Sequence, residues 1–239
     1  MYREFFPGNQ GTEAPLSMNT FLPVDTGRSL LRPWPAGLDS IRQSPAVLCV
    51  LWLALVAVGV LGRLWQPTWN VTPMAGVALA AGVLFPHALV AASVPLVSLA
   101  LGNLALPGYG SLTMACVVYA ATVWPVLLGS LVSRGRWLAL LGGALASSLV
   151  FFLSTNVAHW LLTTDYPRSA AGLVACFTAA LPFYRWMPVG DLAWTAGLFA
   201  GIAIVGAACG QAGFGPLHAA QCSVRPRSAS ADAPPPPAR

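Results

Sequence analysis

Lysine is missing from this 239-residue sequence, and charge of either sign is scarce. Charged residues make up 8% of the chain, and all twelve basic residues are arginines. Without lysine, the chain cannot contain the phosphate-binding sequence GxxxxGK[ST], so it has no P-loop ATPase site of its own. The five cysteines show no CxxC or histidine-linked spacing, so we predict neither a metal site nor a cofactor. The arginines form no basic stripe, which argues against a nucleic-acid partner.

Apolar residues fill most of the remainder. They make up 56% of the chain, and the mean hydropathy is +0.69, which is typical of an integral membrane protein whose first partner is the lipid bilayer. At about 20 residues per span, residues 45–211 predict an all-α bundle of six transmembrane helices. Residues 1–44 and 212–239 are rich in proline and lack a sustained apolar period, so we predict disordered cytoplasmic tails.

The arginines also predict the orientation. Residues 73–106 form either one broken span or a hairpin of two short spans. Cytoplasmic loops favour arginine, so the arginines near spans are expected on one side of the membrane. Arg134 and Arg136 lie on the same side as the arginine-bearing N-terminal tail only if this segment crosses the membrane twice. We therefore prefer the hairpin, with both termini cytoplasmic in the cell (inner) membrane. Residues 170–184 are too short to span easily and predict an outer interfacial or re-entrant helix.

The fifth apolar run, residues 138–162, carries polar side chains near its outer end. Phe152, Asn156, His159 and Thr163 are spaced by four, three and four residues, so they share one helix face. An amide and an imidazole are costly against lipid. This face is therefore predicted to line a cavity inside the bundle.

Asp191 is the only carboxylate at the start of a span. Two interpretations stay open: an acid favoured by the helix dipole, or an anchor that acts with Arg63 or Arg185 on a zwitterionic or hydrogen-bonding solute. For Trp160 the choice lies between an interfacial aromatic belt and stacking on a planar ligand. The predicted substrate-binding residues are Arg63, Asn70, Asn103, Asn156, His159, Trp160, Arg185 and Asp191; we predict no catalytic residue.

Small residues repeat at helical spacing in the segment that follows Pro73. Gly76 and Ala80 are four residues apart, as are Ala78 and Gly82. Small residues at this spacing let helices approach closely. The segment either packs within the bundle or docks onto another membrane subunit.

Motifs within residues 45–209 resemble an uncharacterised bacterial membrane family, a domain of unknown function described as candidate transport proteins. That family is similar to the substrate-binding S components of energy-coupling factor (ECF) transporters. The motifs are Arg63…Asn70-Val-Thr-Pro73-Met-Ala75, Gly102-Asn103-Leu, Phe151-Phe152…Asn156…Trp160, Tyr166-Pro167…Gly172-Leu173, Leu181-Pro182-Phe183 and Gly190-Asp191-Leu.

The resemblance implies a function. S components are six-helix proteins that hold a vitamin or similar small solute at their outer face. They dock through small residues on a membrane coupling subunit, and two ATPases drive release. By resemblance, this chain is a transport subunit with such partners and is not an enzyme. The family usually has an acidic residue where this chain has Asn103, which removes a charge there.

Two other functions remain open. A rhomboid-type intramembrane hydrolase needs a nucleophile within GxSG and a histidine on another helix; neither Ser111 nor Ser147 lies in that sequence, although His159 is present. A non-transport membrane scaffold or assembly factor is the second alternative, because no substrate is evident from the sequence. Ligand binding separates a transport subunit from a scaffold.

Overall fold

The computed structural model describes residues 38–66, 70–134 and 137–211. Within these ranges the chain is helical and forms no strand. The helices are α1 (Leu38–Gln43), α2 (Pro45–Leu64), α3 (Met74–Leu84), α4 (Ala88–Asn103), α5 (Leu112–Val123), a 3-10 segment (Trp124–Leu128), α6 (Gly129–Arg134), α7 (Trp137–Leu162), α8 (Ala170–Tyr184) and α9 (Met187–Gln211).

Four described segments are long and apolar enough to cross a membrane: Pro45–Leu64, Leu112–Ser133, Trp137–Leu162 and Met187–Cys209. This agrees with the predicted class of integral membrane protein. Three further apolar helices, α3, α4 and α8, are shorter. At 1.5 Å per residue, α3 is about 16 Å long and α4 about 24 Å, against a hydrocarbon core of about 30 Å. By length and composition, four described segments qualify as spans, and the two further spans predicted at α3 and α4 are shorter than the hydrocarbon core.

The path of α3 follows from the pairing of its neighbours. The indole N–H of Trp52 donates to Ser93 Oγ at 2.9 Å, and Arg63 Nη2 donates to Asn103 Oδ1 at 2.8 Å. Later residues of α2 thus meet later residues of α4, so these two helices run parallel. The chain must return between them, and α3 provides that return. The hairpin interpretation of residues 73–106 describes this path.

The short helix α3 lies at the centre of the bundle. It contacts α2, α4, α6, α7, α9 and the 3-10 segment, and the side chains from Val77 to Ala81 are fully buried. A Cβ atom on Gly82 would collide with the carbonyl group of Val126, and one on Gly129 would collide with the backbone of Gly82. Backbone therefore touches backbone where α3 meets the segment between α5 and α6.

This enclosure corrects the expectation that Gly76, Ala78, Ala80 and Gly82 form a docking surface. Ala78 and Ala80 have no exposed surface, and a Cβ atom on Gly76 would lie 3.0 Å from Thr195 Oγ1 of α9. The alternative interpretation, packing within the bundle, describes these residues. Small side chains allow close approach to any neighbour, and here the neighbours belong to the same chain.

The predicted boundary of the N-terminal tail at residue 44 is also wrong. Residues Leu38–Gln43 form α1, and Leu38 and Ile41 are buried in the core. Arg42 Nη2 donates to the carbonyl oxygen of Val83, which lies in the last turn of α3. The last carbonyl groups of a helix receive no hydrogen bond from within that helix. A positive charge at a helix C-terminus is also favoured by the helix dipole. The remaining tail predictions, for residues 1–37 and 212–239, lie outside the described residues.

Helix α8 occupies the segment predicted to be interfacial. It begins after Ser169, whose hydroxyl accepts from the amide of Gly172, and it packs against α7 and α9. The preceding loop is fixed to the end of α7, because Arg168 Nη2 donates to the carbonyl oxygens of Leu161 and Thr163 at 2.6 and 2.8 Å. This places α8 against the C-terminal half of α7.

Candidate functional site

A cavity of about 200 Å³ lies where the end of α2 and the start of α3 face α5, α7 and α9. We call it the central cavity. Its apolar walls include Phe151, Pro125 and Met187. Charged, amide and hydroxyl side chains also line it: Arg63, Gln66, Asn70, Thr72, Thr122, Ser147 and Asp191. Three residues predicted to bind a solute therefore meet here, namely Arg63, Asn70 and Asp191.

Asp191 is the most deeply placed charged group of the central cavity. It is only 5% exposed, and Ser148 Oγ donates to its Oδ2 at 2.5 Å. Helix α9 starts at Met187 and has no acid in its first turn, so Asp191 lies beyond the range over which the helix dipole acts strongly. Within the described part of the chain, the salt bridge found joins His159 and Asp165 and leaves Asp191 without a cation.

The geometry decides between the two arginines considered as partners of Asp191. Arg63 lines the central cavity, whereas the Arg185 guanidinium lies over the ring of Trp186, 5.4 Å from its centroid, and lines none of the cavities described here. Arg63 is the cation that shares the cavity with the carboxylate. Arg185 does not line the central cavity, and a role for it in binding a solute stays a prediction.

Asn103 acts on the site through Arg63. Its Oδ1 accepts from Arg63 Nη2, and its Nδ2 donates to the Tyr119 hydroxyl at 3.2 Å; Asn103 itself does not line the central cavity. The Arg63 Nε atom is buried and has no hydrogen-bond partner. The neutral amide of Asn103 orients the guanidinium of Arg63 but does not neutralise its positive charge. A carboxylate at position 103 would neutralise it.

Asn70 ties the loop before α3 to α8. Its φ of 64° lies in the left-handed region, which asparagine tolerates better than most residues. Its backbone N–H donates to Gln66 Oε1 at 3.3 Å, and its Nδ2 donates to the Phe183 carbonyl oxygen at 3.5 Å. The unusual backbone conformation thus directs the amide to the junction between the loop and the end of α8.

Two further cavities adjoin the central one, and residues of α8 line part of both. The second, of about 230 Å³, shares Asn70, Phe151 and Met187 with the central cavity. The third, of about 350 Å³, shares four residues with the second. Asn156 lines the second and third cavities, and His159 lines the third. We call this row of three adjoining cavities the passage; its lining extends from Asp191 to His159, near the C-terminal end of α7.

Residues 41–212 match a family of unknown function, DUF6580. The chain belongs to the DUF6580 family. No curated protein and no solved structure matches it. The match begins inside α1 and includes every later described helix, so α1 is partly within the family domain and is not a tail.

Not every predicted residue of the DUF6580 chain reaches the passage. The Trp160 indole N–H donates to the carbonyl oxygen of Pro167 at 2.9 Å, and the Arg168 guanidinium carbon lies 5.7 Å from the centroid of its ring. Trp160 therefore holds the loop after α7 and lines none of the three cavities; its stacking on a solute stays a prediction. His159 Nε2 lies 3.0 Å from Asp165 Oδ2, at the mouth of the third cavity.

Four polar residues that line the DUF6580 cavity were not predicted from the sequence, namely Gln66, Thr72, Thr122 and Ser147. Thr122 and Ser147 line the central cavity at 5% and 2% exposure. The available signal was a polar residue within an apolar span, but serine and threonine often satisfy their own helix backbone. Ser147 Oγ donates to the Gly143 carbonyl oxygen, and Ser148 Oγ donates to Asp191 Oδ2. This arrangement is unlike the serine–histidine pair of a hydrolase.

Proposed function

We propose that this DUF6580 protein is the solute-binding subunit of a membrane transport system and is not an enzyme. In this proposal the central cavity holds a small polar solute of the vitamin or metabolite class. One observation carries the proposal: a buried carboxylate without a cation and an arginine face the same cavity inside an apolar bundle. Ionisable groups at such positions are expensive, so they mark pathways or binding sites.

The size of the cavity supports a small solute. Sites for drug-sized ligands occupy roughly 300–1,000 Å³, whereas the central cavity alone has about 200 Å³. Apolar surfaces of Phe151 and Met187 enclose the polar groups, as in many pockets where a few polar groups set orientation. A larger solute would extend into the second cavity past Asn70.

The proposed architecture follows that of ECF S components. The four long spans and the two shorter helices α3 and α4 would make six crossings, with α8 on the outer side and both termini in the cytoplasm of a bacterial cell. Because the chain has no lysine and hence no P-loop, energy for transport would come from a membrane coupling subunit with ATPases. The buried helix α3 is not proposed to contact that subunit.

The orientation gives a first prediction. In a chain whose native cysteines are replaced by serine, a cysteine at Gly108 is expected to react with an impermeant maleimide in intact cells, since Gly108 is exposed and a Cβ there meets nothing within 4 Å. A cysteine at Ser133, near the opposite end of the Leu112–Ser133 segment, should react only after permeabilisation. The reverse pattern, or equal labelling, contradicts the proposed orientation.

Binding gives the second prediction. In a thermal-stability screen of the purified protein against vitamins and metabolites, at least one compound is expected to raise Tm. A ligand at 100 times its Kd adds about 2.7 kcal/mol to the free energy of unfolding. The Tm shift should fall in Arg63→Gln and Asp191→Asn and persist in the control Arg185→Gln, whose guanidinium lies outside the central cavity.

Two results count against this function. If no compound in the screen raises Tm, the protein is better explained as a membrane scaffold. If the shift is equally large in Arg63→Gln and Asp191→Asn, the solute binds elsewhere. Each variant's own Tm without ligand is the reference, so a general loss of stability is not mistaken for loss of binding.

A further inference from the structure

Three oxygen acceptors meet in the central cavity. Ser147 Oγ donates its hydrogen to the carbonyl oxygen of Gly143, and Thr122 Oγ1 donates to that of Val118, each at 2.7 Å. A hydroxyl has one hydrogen to donate and two lone pairs to accept with. Because both hydrogens are already used within the helices, Ser147 and Thr122 offer the cavity acceptors only.

The Asp191 carboxylate is the third acceptor and carries the charge. An ionised carboxylate accepts about four hydrogen bonds and donates none, and Ser148 supplies the one side-chain hydrogen bond found on it. We call Thr122, Ser147 and Asp191 the acceptor cluster. All three are at least nine-tenths buried and line the central cavity. Nothing on the described part of the chain supplies a cation to this cluster.

Lining residues from the end of α2 and the start of α3 offer donors and positive charge. Thr72, Met74 and Ala75 line it, and α3 begins at Met74 with no side-chain cap. The first amide N–H groups of a helix have no acceptor within it and carry partial positive charge. The guanidinium of Arg63, with its unpaired buried Nε, lies in the same lining. The acceptors come from α5, α7 and α9, whereas the donors come from α2 and the start of α3.

We propose that the solute is a small zwitterion with a primary ammonium group and a carboxylate. The ammonium group, which has three N–H donors and accepts none, pairs with the acceptor cluster. The carboxylate faces Arg63 and the start of α3, where charge-assisted hydrogen bonds are available. This inference rests on the proposed function and gives the chemical class of its substrate.

The test uses the purified full chain in detergent and matched ligand sets. The probes are free α-, β- and γ-amino acids, their N-acetyl derivatives, which lack the ammonium charge, and their methyl esters, which lack the carboxylate. We expect at least one free amino acid to raise Tm. Its N-acetyl form should bind at least about tenfold more weakly, since a hydrogen bond to a charged group contributes about 1.5–3 kcal/mol, and its methyl ester should also bind more weakly.

Conservative variants locate the ammonium group. Asp191→Asn, Ser147→Ala and Thr122→Val should each weaken binding of the free amino acid, by about tenfold or more for Asp191→Asn. The controls are Ser133→Ala and Thr178→Val, whose hydroxyls donate to the carbonyl oxygens of Ser130 and Val174 in their own helices and line none of the three cavities. They should bind as the unsubstituted chain does. If Asp191→Asn does not fold, the comparisons of Ser147→Ala with Ser133→Ala and of Thr122→Val with Thr178→Val still decide the test.

Several outcomes overturn the zwitterion. Three of them are the absence of a Tm shift with any free amino acid, equally tight binding of the N-acetyl form, and unchanged binding in Asp191→Asn. A fourth is the same Tm shift with sodium chloride alone, which would show that the acceptor cluster binds a metal cation. A neutral or anionic metabolite whose binding depends on Arg63 overturns the zwitterion but leaves the proposed function standing. The two proposals therefore fail separately.

Discussion

Gly82→Val is expected to abolish the folded bundle. The added side chain would enter the space of the Val126 carbonyl group, and a backbone carbonyl cannot move aside as a flexible side chain does. Overpacking of a core costs about 1–3 kcal/mol and sometimes more; contact with backbone places Gly82 at or above the upper end. The measurement is the yield and Tm of the monodisperse protein in detergent.

Gly142→Val is the matched control for Gly82→Val. Gly142 lies on α7, and a Cβ there meets nothing within 4 Å. Its Tm should stay close to that of the unsubstituted chain, because helix propensity changes by less than about 1 kcal/mol. If Gly82→Val folds with an unchanged Tm, α3 is not enclosed as described and its small residues are again candidates for a docking surface.

Ile41→Ala is expected to lower the free energy of unfolding by roughly 2–5 kcal/mol, although Ile41 lies in a segment whose composition predicts a tail. The reason is that Ile41 is fully buried in the main core cluster. Arg42→Leu should cost about 1.5–3 kcal/mol, since it leaves the Val83 carbonyl oxygen without its charged donor. Thermal or denaturant unfolding in a constant detergent measures both changes.

Asp39→Asn provides the control on the same helix. Asp39 is exposed on α1, and surface substitutions usually change stability by no more than about 0.5 kcal/mol. If Ile41→Ala is as stable as Asp39→Asn, α1 does not pack on the bundle. In that case the predicted tail boundary at residue 44 would be correct.

The helices themselves were predictable because they depend on local pattern. The run at residues 138–162 predicts a span, and the structure has Trp137–Leu162. The hairpin preferred for residues 73–106 agrees with the packing of α3 against α4, while its two membrane crossings stay a prediction. Helix α1 was not predictable, since six residues show too little period to distinguish a packed helix from a polar tail. Burial of Leu38 and Ile41 comes from contact with distant helices.

The site could be predicted only in part, for a similar reason. Arg63, Asn70 and Asp191 are polar residues at the edges of apolar runs, so their positions pointed to a shared location. Trp160 and Arg185 show the same local pattern, but Trp160 donates to Pro167 and Arg185 lies over the ring of Trp186. Residue spacing does not predict such contacts in loops. The sequence also does not show whether small residues such as Ala80 face lipid or neighbouring helices.

The central position of α3 has a consequence for how the protein is made. With about 16 Å of length, α3 is too short to cross a bilayer on its own, so α3 and α4 are expected to insert together as one helical hairpin. The groove that receives Gly76 includes Thr195 and Leu198 of α9, the last of the described helices to leave the ribosome. The core around α3 is therefore expected to close only after α9 has been synthesised.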